Sequence, residues 1–319
     1  MRIYTSRHRT ITRHCWIISV LDGKNSFLMT GTIINKKHET SKKSTHISKM
    51  KQKLTTLLLA FTIVLNVCAQ ETVLHIPYAP GKSIYGIISE PTVNKEKHGI
   101  AILCHGFNGT LNFGLGCFKM LNELGYAAYS FDFPYGSVRS KTDNDTQKMT
   151  VTGEKEALET IVRYFRAQKD IDPQNIILIG ESQGGLVSAL VAAEMPNEIN
   201  KLVLCYPAFS IPDEWWKRYP RIEDIPDVPE KWGVKLSKEY VIDALSLNVF
   251  GTIGKYTGPV LIMHGTNDKV VPIEYSERAE KIYKDVTLKK IEGAGHGFKP
   301  AEKEVADKYM WEFLTSKSR

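Results

Sequence analysis

Ser182 stands in the run Gly180, Glu181, Ser182, Gln183, Gly184. A serine hydroxyl is a weak nucleophile near neutral pH, so acyl transfer through it needs a base that takes its proton and returns it to the leaving group. Histidine, with a reference pKa of about 6.5, suits both steps. His296 lies in Gly293, Ala294, Gly295, His296, Gly297, Phe298, a glycine-flanked loop from which a base can reach a sheet edge. The base in turn needs a carboxylate to fix its tautomer. Asp268, in His264, Gly265, Thr266, Asn267, Asp268, is the candidate, with Asp213 and Glu214 as fallback acids.

Negative charge develops on the carbonyl oxygen under attack, and loss of one backbone donor aimed at it costs about 3 to 4 kcal/mol. The amide of Gln183, next after the nucleophile, is one expected donor. The loop His105, Gly106, Phe107, Asn108, Gly109 is expected to supply the second through Phe107, with His105 fixing the loop. His264 and Asp268 are four apart but on a strand end and loop with no second ligand pair, so no metal site is expected. Asn108, Gly109, Thr110 matches a glycosylation acceptor, but a glycan there would block this loop.

The pentapeptide around Ser182 is common enough that its context must decide. Ile176 to Ile179 precede it and the helix-like Leu186 to Val191 follow, so the serine sits at a sharp strand-to-helix turn whose flanking glycines remove colliding side chains. Short apolar runs at Ile100–Cys104, Ala127–Phe131, Ile176–Ile179, Leu202–Cys205, Val260–Met263 and Thr287–Ile291 read as strands. Leu158, Ile161, Val162 and Phe165 mark one helix face, and Val305, Tyr309 and Phe313 another. Alternation of strands and helices predicts an α/β protein whose mostly parallel sheet is covered on both faces, opened by a hairpin at Thr72–Pro77 and Ser83–Ser89. From Pro207 to about Thr257 the rhythm breaks into an aromatic, proline-punctuated insertion, read as a cap over the reaction site. Its Trp215, Trp216, Tyr219 and Trp232 are candidate substrate contacts.

The chain of 319 residues carries a formal charge of +7, but that charge is unevenly placed. The first 69 residues hold 12 Lys and Arg against Asp22 and Glu39, leaving 30 basic and 33 acidic residues, a net −3, beyond them. The basic balance therefore gives no reason to expect nucleic acid binding. Lys51 and Lys53, the apolar Leu54–Val67 and the tripeptide Val67, Cys68, Ala69 read as a signal peptide cleaved after Ala69, with lipidation of Cys68 the competing reading. Residues 1–49 then read as a non-native or disordered extension before Met50, and 70–319 as one domain. A secreted or periplasmic protein with no stable membrane span after cleavage is expected. Cys104, Cys117 and Cys205 are an odd set, expected as buried free thiols, with one bridge through Cys117 as the alternative.

In its His105 Gly106 loop, its Ser182 elbow, and Asp268 and His296 in the order Ser, Asp, His, the chain resembles the α/β-hydrolase superfamily over roughly residues 72–316. More narrowly, through Gln183 with Gly185, His264 Gly265 before Asp268, and Gly295 His296 before Phe298, it is similar to bacterial cinnamoyl and feruloyl esterases and to the serine aminopeptidase S33 and monoacylglycerol lipase-like group. The resemblance implies an α/β-hydrolase fold with an inserted cap holding an aromatic acyl group, no cofactor, and a small-molecule ester as partner. Where those relatives continue with a glycine-rich turn, this chain reads Pro134, Tyr135, Gly136, Ser137, Val138, Arg139, Ser140. A secreted serine esterase is the expectation. An S33-type aminopeptidase, a monoacylglycerol lipase and a non-catalytic binder on the same fold are the alternatives.

Overall fold

The computed structural model describes residues 71–91 and 96–316. The expected extension at 1–49, the signal peptide at 50–69 and Cys68 lie outside the described residues.

An opening hairpin of β1 (Glu71–Ala79) and β2 (Lys82–Ser89) turns at Gly81, whose φ of +71° suits glycine. Six further strands complete the sheet: β3 (His98–Cys104), β4 (Tyr126–Phe131), β5 (Ile171–Glu181), β6 (Lys201–Cys205), β9 (Val260–Gly265) and β10 (Val286–Ile291). The order is β1-β2-β4-β3-β5-β6-β9-β10. Only β1 with β2 and β2 with β4 pair antiparallel; every other neighbour is parallel. All six predicted strands are present. β5 starts earlier than its apolar run because Ile171 pairs with His98 across a register shift.

The parallel strands are apolar throughout because both faces are buried. Side-chain alternation sorts them: Ile100, Ile102, Ile176, Leu178, Leu202 and Leu204 face one core, while Ala101, Leu103, Ile177, Ile179 and Val203 face the other. Two short helices, α1 (Asn112–Leu115) and α2 (Phe118–Glu123), follow β3, and α2 covers the second face with Phe118 and Leu121. The first face is covered by α3 (Val151–Arg166), capped by Thr150 accepting from the Gly153 amide, and by α4 (Ser182–Glu194). From Gln183 to Ala193 every residue of α4 is buried, as expected of a helix apolar on all sides.

The last helix departs from expectation. It buries Ala306, Met310 and Leu314 rather than the adjacent stripe of Val305, Tyr309 and Phe313; Val305 is 40% exposed. The small Ala306 is buried in the second core, and Tyr309 and Phe313 pack against it as partly buried margins.

Between β6 and β9 come α5 (Ile211–Arg218), a two-stranded hairpin of β7 (Glu230–Lys231) and β8 (Val234–Lys235), α6 (Lys238–Ser246) and α7 (Val249–Thr252). The hairpin turns on Trp232 and Gly233, both at positive φ (+51° and +78°), the geometry whose twist matches a two-residue hairpin. Trp215, Val234, Leu236, Tyr240 and Val241 belong to the same buried cluster as the first sheet face. The insertion therefore shares the main core instead of building its own. After β9, α8 (Glu274–Glu280) leads to β10, and α9 (Pro300–Thr315) closes the described chain. No helix among the described residues is long and apolar enough to cross a membrane.

Candidate active site

Strand register brings the chemistry to one edge. Cys104 aligns with Gly180, Glu181 with Cys205, Cys205 with Met263, and Gly265 with Ile291. The loops after β3, β5, β6, β9 and β10 therefore leave from a common line. The chain runs outward from β3 to β4 on one side and to β5 on the other, the arrangement whose crevice binds ligands in open α/β sheets.

At the turn from β5 into α4, Ser182 has φ +49°. Such a value is costly for a non-glycine residue and is sustained by packing that forbids relaxation. A Cβ on Gly184 would lie 2.3 Å from the His105 carbonyl oxygen and 2.4 Å from that of Cys104; one on Gly180 would lie 2.4 Å from the Gly184 carbonyl oxygen. Both neighbours are backbone and cannot move aside, which is why glycine occupies both positions.

Ser182 Oγ lies 3.0 Å from His296 Nε2, and His296 Nδ1 lies 2.8 Å from Asp268 Oδ2. Since Asp268 can only accept when ionised, Nδ1 donates to it and Nε2 is left to accept from the serine hydroxyl. Burial alone would raise the Asp268 carboxyl. Hydrogen bonds from His264, His296 and the amides of Val271 and Val270 outweigh it and hold the group well below the usual carboxylate range. Those amides lie 2.9 and 2.8 Å from Oδ1. His264 Nε2 stands 3.3 Å from Asp268 Oδ2 and 3.0 Å from the Val271 carbonyl oxygen, while its Nδ1 is 2.7 Å from Ser276 Oγ. His264 is thus a buried brace for Asp268. Asp213 and Glu214 are engaged elsewhere: Tyr275 Oη donates to Asp213 at 2.8 Å, and Lys231 Nζ reaches both Glu214 oxygens at 2.7 Å.

In the loop after β3 three amides have acceptors. Gly106 donates to Glu181 Oε1 at 3.3 Å, Asn108 to the Gly136 carbonyl at 3.0 Å, and Gly109 to the Gly106 carbonyl at 2.9 Å. Among the described residues nothing accepts from the Phe107 amide. Gln183, in the first turn of α4, has an amide without an intrahelical acceptor by the geometry of helix starts. His105 is fully buried, with Nδ1 2.8 Å from the Gly106 carbonyl and Nε2 accepting from the Phe133 amide at 3.0 Å. Burial lowers its pKa, so it acts as a neutral fixture of the loop.

Several supports carry weaker sequence signals. Asn108, at φ +53°, takes hydrogen bonds on Oδ1 from Ser137 Oγ and the Val138 amide, both at 3.1 Å. Asp132 joins the two loops by accepting from the amides of Leu111 (2.7 Å) and Lys141 (2.8 Å). The Pro134–Ser140 segment is therefore the scaffold of the loop that holds Phe107. Glu181 accepts from Tyr206 Oη at 2.7 Å, and the Tyr206 ring stands edge-on to His296 with centroids 4.8 Å apart. Gln183 is gripped at both ends of its amide: Tyr240 Oη donates to Oε1 at 2.7 Å, and Nε2 donates to Glu154 Oε2 at 2.8 Å. Glu154 could have been noticed, since it falls on the buried stripe Val151, Glu154, Leu158, Ile161, Phe165 of α3.

The four candidate substrate contacts separate. Trp215 is 1% exposed, stacked on Tyr219 at 6.0 Å and edge-on to Tyr240 at 5.9 Å. This is a packing position, a correction to its reading as a substrate contact, because α5 turns that face inward against α6. Trp216 is 59% exposed. Tyr219 covers Trp215, and Trp232 packs edge-on to Phe107 at 5.8 Å with Lys231 Nζ 4.7 Å from its ring centre. Cys104, Cys117 and Cys205 are buried free thiols with no bridge among them.

A family model described as serine aminopeptidase, S33, matches residues 95–240, and one described as the α/β hydrolase fold matches residues 207–299. Est1E from Butyrivibrio proteoclasticus, solved with ferulic acid bound, is 29% identical over 76% of this chain and 100% of its own, with a TM-score of 0.68. A Mycoplasma genitalium protein that carries a provisional esterase/lipase name is 26% identical over 69% of this chain and 90% of its own. A monoacylglycerol lipase from Paleococcus ferrophilus, 20% identical over 72% of this chain and 98% of its own with a TM-score of 0.55, shares the fold. Sheet order and structural likeness converge, and the chain has the α/β-hydrolase fold, with family-model matches to serine aminopeptidase S33 and to the α/β hydrolase fold over parts of its length.

Proposed function

We propose that this hydrolase is a serine esterase that cleaves carboxylic esters through an acyl-serine intermediate. The observation that carries the reading is the continuous hydrogen-bonded line from Ser182 through His296 to Asp268 beside an amide, that of Phe107, with no acceptor of its own among the described residues. In this reading Ser182 Oγ bonds to the ester carbonyl carbon while its proton passes to His296 Nε2. The oxygen that gains charge is held by the amides of Phe107 and Gln183, and Asp268 stabilises the imidazolium. Collapse breaks the bond to the alcohol oxygen, which leaves with the histidine's proton. Water then repeats the sequence, giving its proton to His296 and releasing the acid. No cofactor enters any step.

An aromatic acyl group is the favoured substrate class, supported by the edge-on Phe107 and Trp232 rings beside the loop that carries the Phe107 amide and by the likeness to Est1E, solved with ferulic acid bound. The S33 description of one matching family keeps an aminopeptidase as the second reading. That activity calls for a cap carboxylate free to bind a substrate amine. Of Glu214, Glu223, Asp224 and Asp227 in the insertion, Glu214 is paired with Lys231, and Glu223 and Asp224 with Arg221, which favours the ester and leaves Asp227 as the carboxylate an aminopeptidase would call on. The proposal includes a location outside the cytoplasm, which the signal-like segment at 50–69 supports.

A fluorophosphonate probe with a substrate panel tests the reading. Labelling that Ser182→Ala abolishes, with methyl ferulate and p-nitrophenyl esters cleaved faster than aminoacyl amides, is expected. Unlabelled wild-type protein with no ester hydrolysis would leave the non-catalytic binder standing.

A further inference from the structure

Gln183 presents its backbone amide to the site and its side chain to the interior. The inward side chain is bound by two groups from different parts of the chain, Glu154 on α3 and Tyr240 on α6 of the insertion. Glu154 and Gln183 are 2% and 1% exposed and Tyr240 is fully buried, so the three form a buried line from the insertion, through the residue after Ser182, to α3. The same junction is pinned a turn away by Asp243 of α6, which accepts from the amide and hydroxyl of Thr152. The Gln183 side chain and its backbone amide meet at one Cα next to Ser182, whose φ of +49° is held by packing, so the two bonds that fix the side chain also restrain the peptide that carries the amide.

We propose that Glu154 and Tyr240 are positioning residues for the Gln183 amide, and that ionisation of Glu154 in alkaline solution weakens the oxyanion site. The proposal rests on the reading of Ser182 as nucleophile. The charge environment of Glu154 supports it. From α6 it meets Tyr240 and the carboxylate of Asp243, from the end of β3 the Cys104 thiol, and from α4 the Gln183 amide, while His105 approaches from the next loop the same Gly136 that Glu154 faces. Lys148, Tyr78, Tyr135 and Glu156 line, with Glu154, a cavity of about 300 Å³ behind the site. Lys148 is paired with Asp145 at 3.1 Å, and no cation contacts Glu154 among the described residues. Burial therefore pushes the Glu154 carboxyl up to about 8; the bond from Gln183 works against that rise and the like charge of Asp243 adds to it. The cavity gives its proton a route to solvent. Once ionised, Glu154 sets a negative charge one side chain from the place where the reaction must build another.

Ester hydrolysis measured from pH 6 to 10 on wild type, Glu154→Gln, Glu154→Leu and Tyr240→Phe decides this. Wild-type kcat is expected to fall roughly tenfold above pH 8, with KM changing less than about twofold, since the amide acts in the transition state. Glu154→Gln, an uncharged isostere that keeps an acceptor for Gln183, should lack that alkaline fall. Glu154→Leu and Tyr240→Phe should lower kcat at every pH, and Gln should recover more than Leu. A merely structural role would lower the melting temperature without moving the alkaline limb. The proposal is overturned if wild-type kcat is flat to pH 10, or if Glu154→Gln keeps the wild-type limb; should Glu154→Leu not fold, the wild-type and Gln profiles alone decide. Failure of the esterase reading looks different, as no variant would then hydrolyse any ester. In that case the difference in melting temperature between wild type and Glu154→Gln still reads the titration, and a difference that stays constant from pH 6 to 10 overturns the proposal.

Discussion

Two buried carboxylates, Asp268 at the sheet edge and Glu154 between α3, α4 and α6, lie in regions that treat the same chemical group in opposite ways. Around Asp268 the β9 loop folds back so that two amides and two imidazoles converge on one carboxylate, and it stays ionised. Around Glu154 a single side-chain amide donates and the nearest charge is another carboxylate, so the proton is retained into alkaline solution. Burial raises both groups. The number of donors built around each decides the outcome. At the sheet edge, strand ends and tight loops leave backbone amides unspent; within helices most amides are spent on the helix's own carbonyls, and among the described residues Glu154 receives only the side-chain amide of Gln183.

The largest expected effect comes from giving the sheet edge the neutrality of the interior. Asp268→Asn should leave the fold intact and lower kcat by about 10³ to 10⁴, because His296 would lose the partner that fixes its tautomer; steady-state kinetics with circular dichroism checks this. Removing one donor is milder. His264→Leu should cost about 1 to 3 kcal/mol in urea unfolding at pH 7, as it strips a partner from Asp268 and from Ser276. It should also shift the acid loss of stability to higher pH.

The two carboxylates should respond to pH with opposite sign. Glu154 has its pKa raised by folding, so its contribution to stability is complete below its ordinary 4.5 and is lost as pH rises through about 8. Asp268 has its pKa lowered, so its contribution is complete above its ordinary 3.8 and is lost as pH falls below that toward the folded value. Glu154→Gln should accordingly gain melting temperature relative to wild type between pH 6 and 9, by several degrees at the top of the range, where ~1 kcal/mol corresponds to ~2 to 4 °C in a domain of this size. Differential scanning fluorimetry across pH would show it. The smallest effect is expected outside both regions. Trp232→Ala should raise KM for an aromatic ester about two- to tenfold, the scale of one edge-on ring contact, with kcat for acetate esters nearly unchanged.

What the sequence made legible follows the same division. Continuous apolar strands and a glycine-flanked serine are local signals, and they located β3, β5, β6, β9, the elbow at Ser182 and the loops holding His296 and Asp268. The approach of those loops depends on strand register, which the order of elements constrains strongly in a parallel sheet. The interior junction is set by contacts between distant segments: Tyr240 to Gln183 spans 57 residues, and Gln183 to Glu154 spans 29. No local pattern carries such a pairing, although a glutamate on the buried stripe of α3 was a visible anomaly. Trp215 was misread because an aromatic-rich insertion does not reveal which ring faces a ligand and which faces its neighbour helix. In α9 the apolar stripe reads one residue off because Ala306, a buried position, contributes little hydrophobicity to the pattern.

The central claim is that Ser182 carries the acyl group during turnover. Protein quenched in acid while hydrolysing a p-nitrophenyl ester, then digested and sequenced by tandem mass spectrometry, tests it directly. The account predicts the acyl mass on the peptide containing Ser182 and on that side chain. Steady hydrolysis with the acyl group on another residue, or with no acyl-protein at any time of quenching, would contradict it.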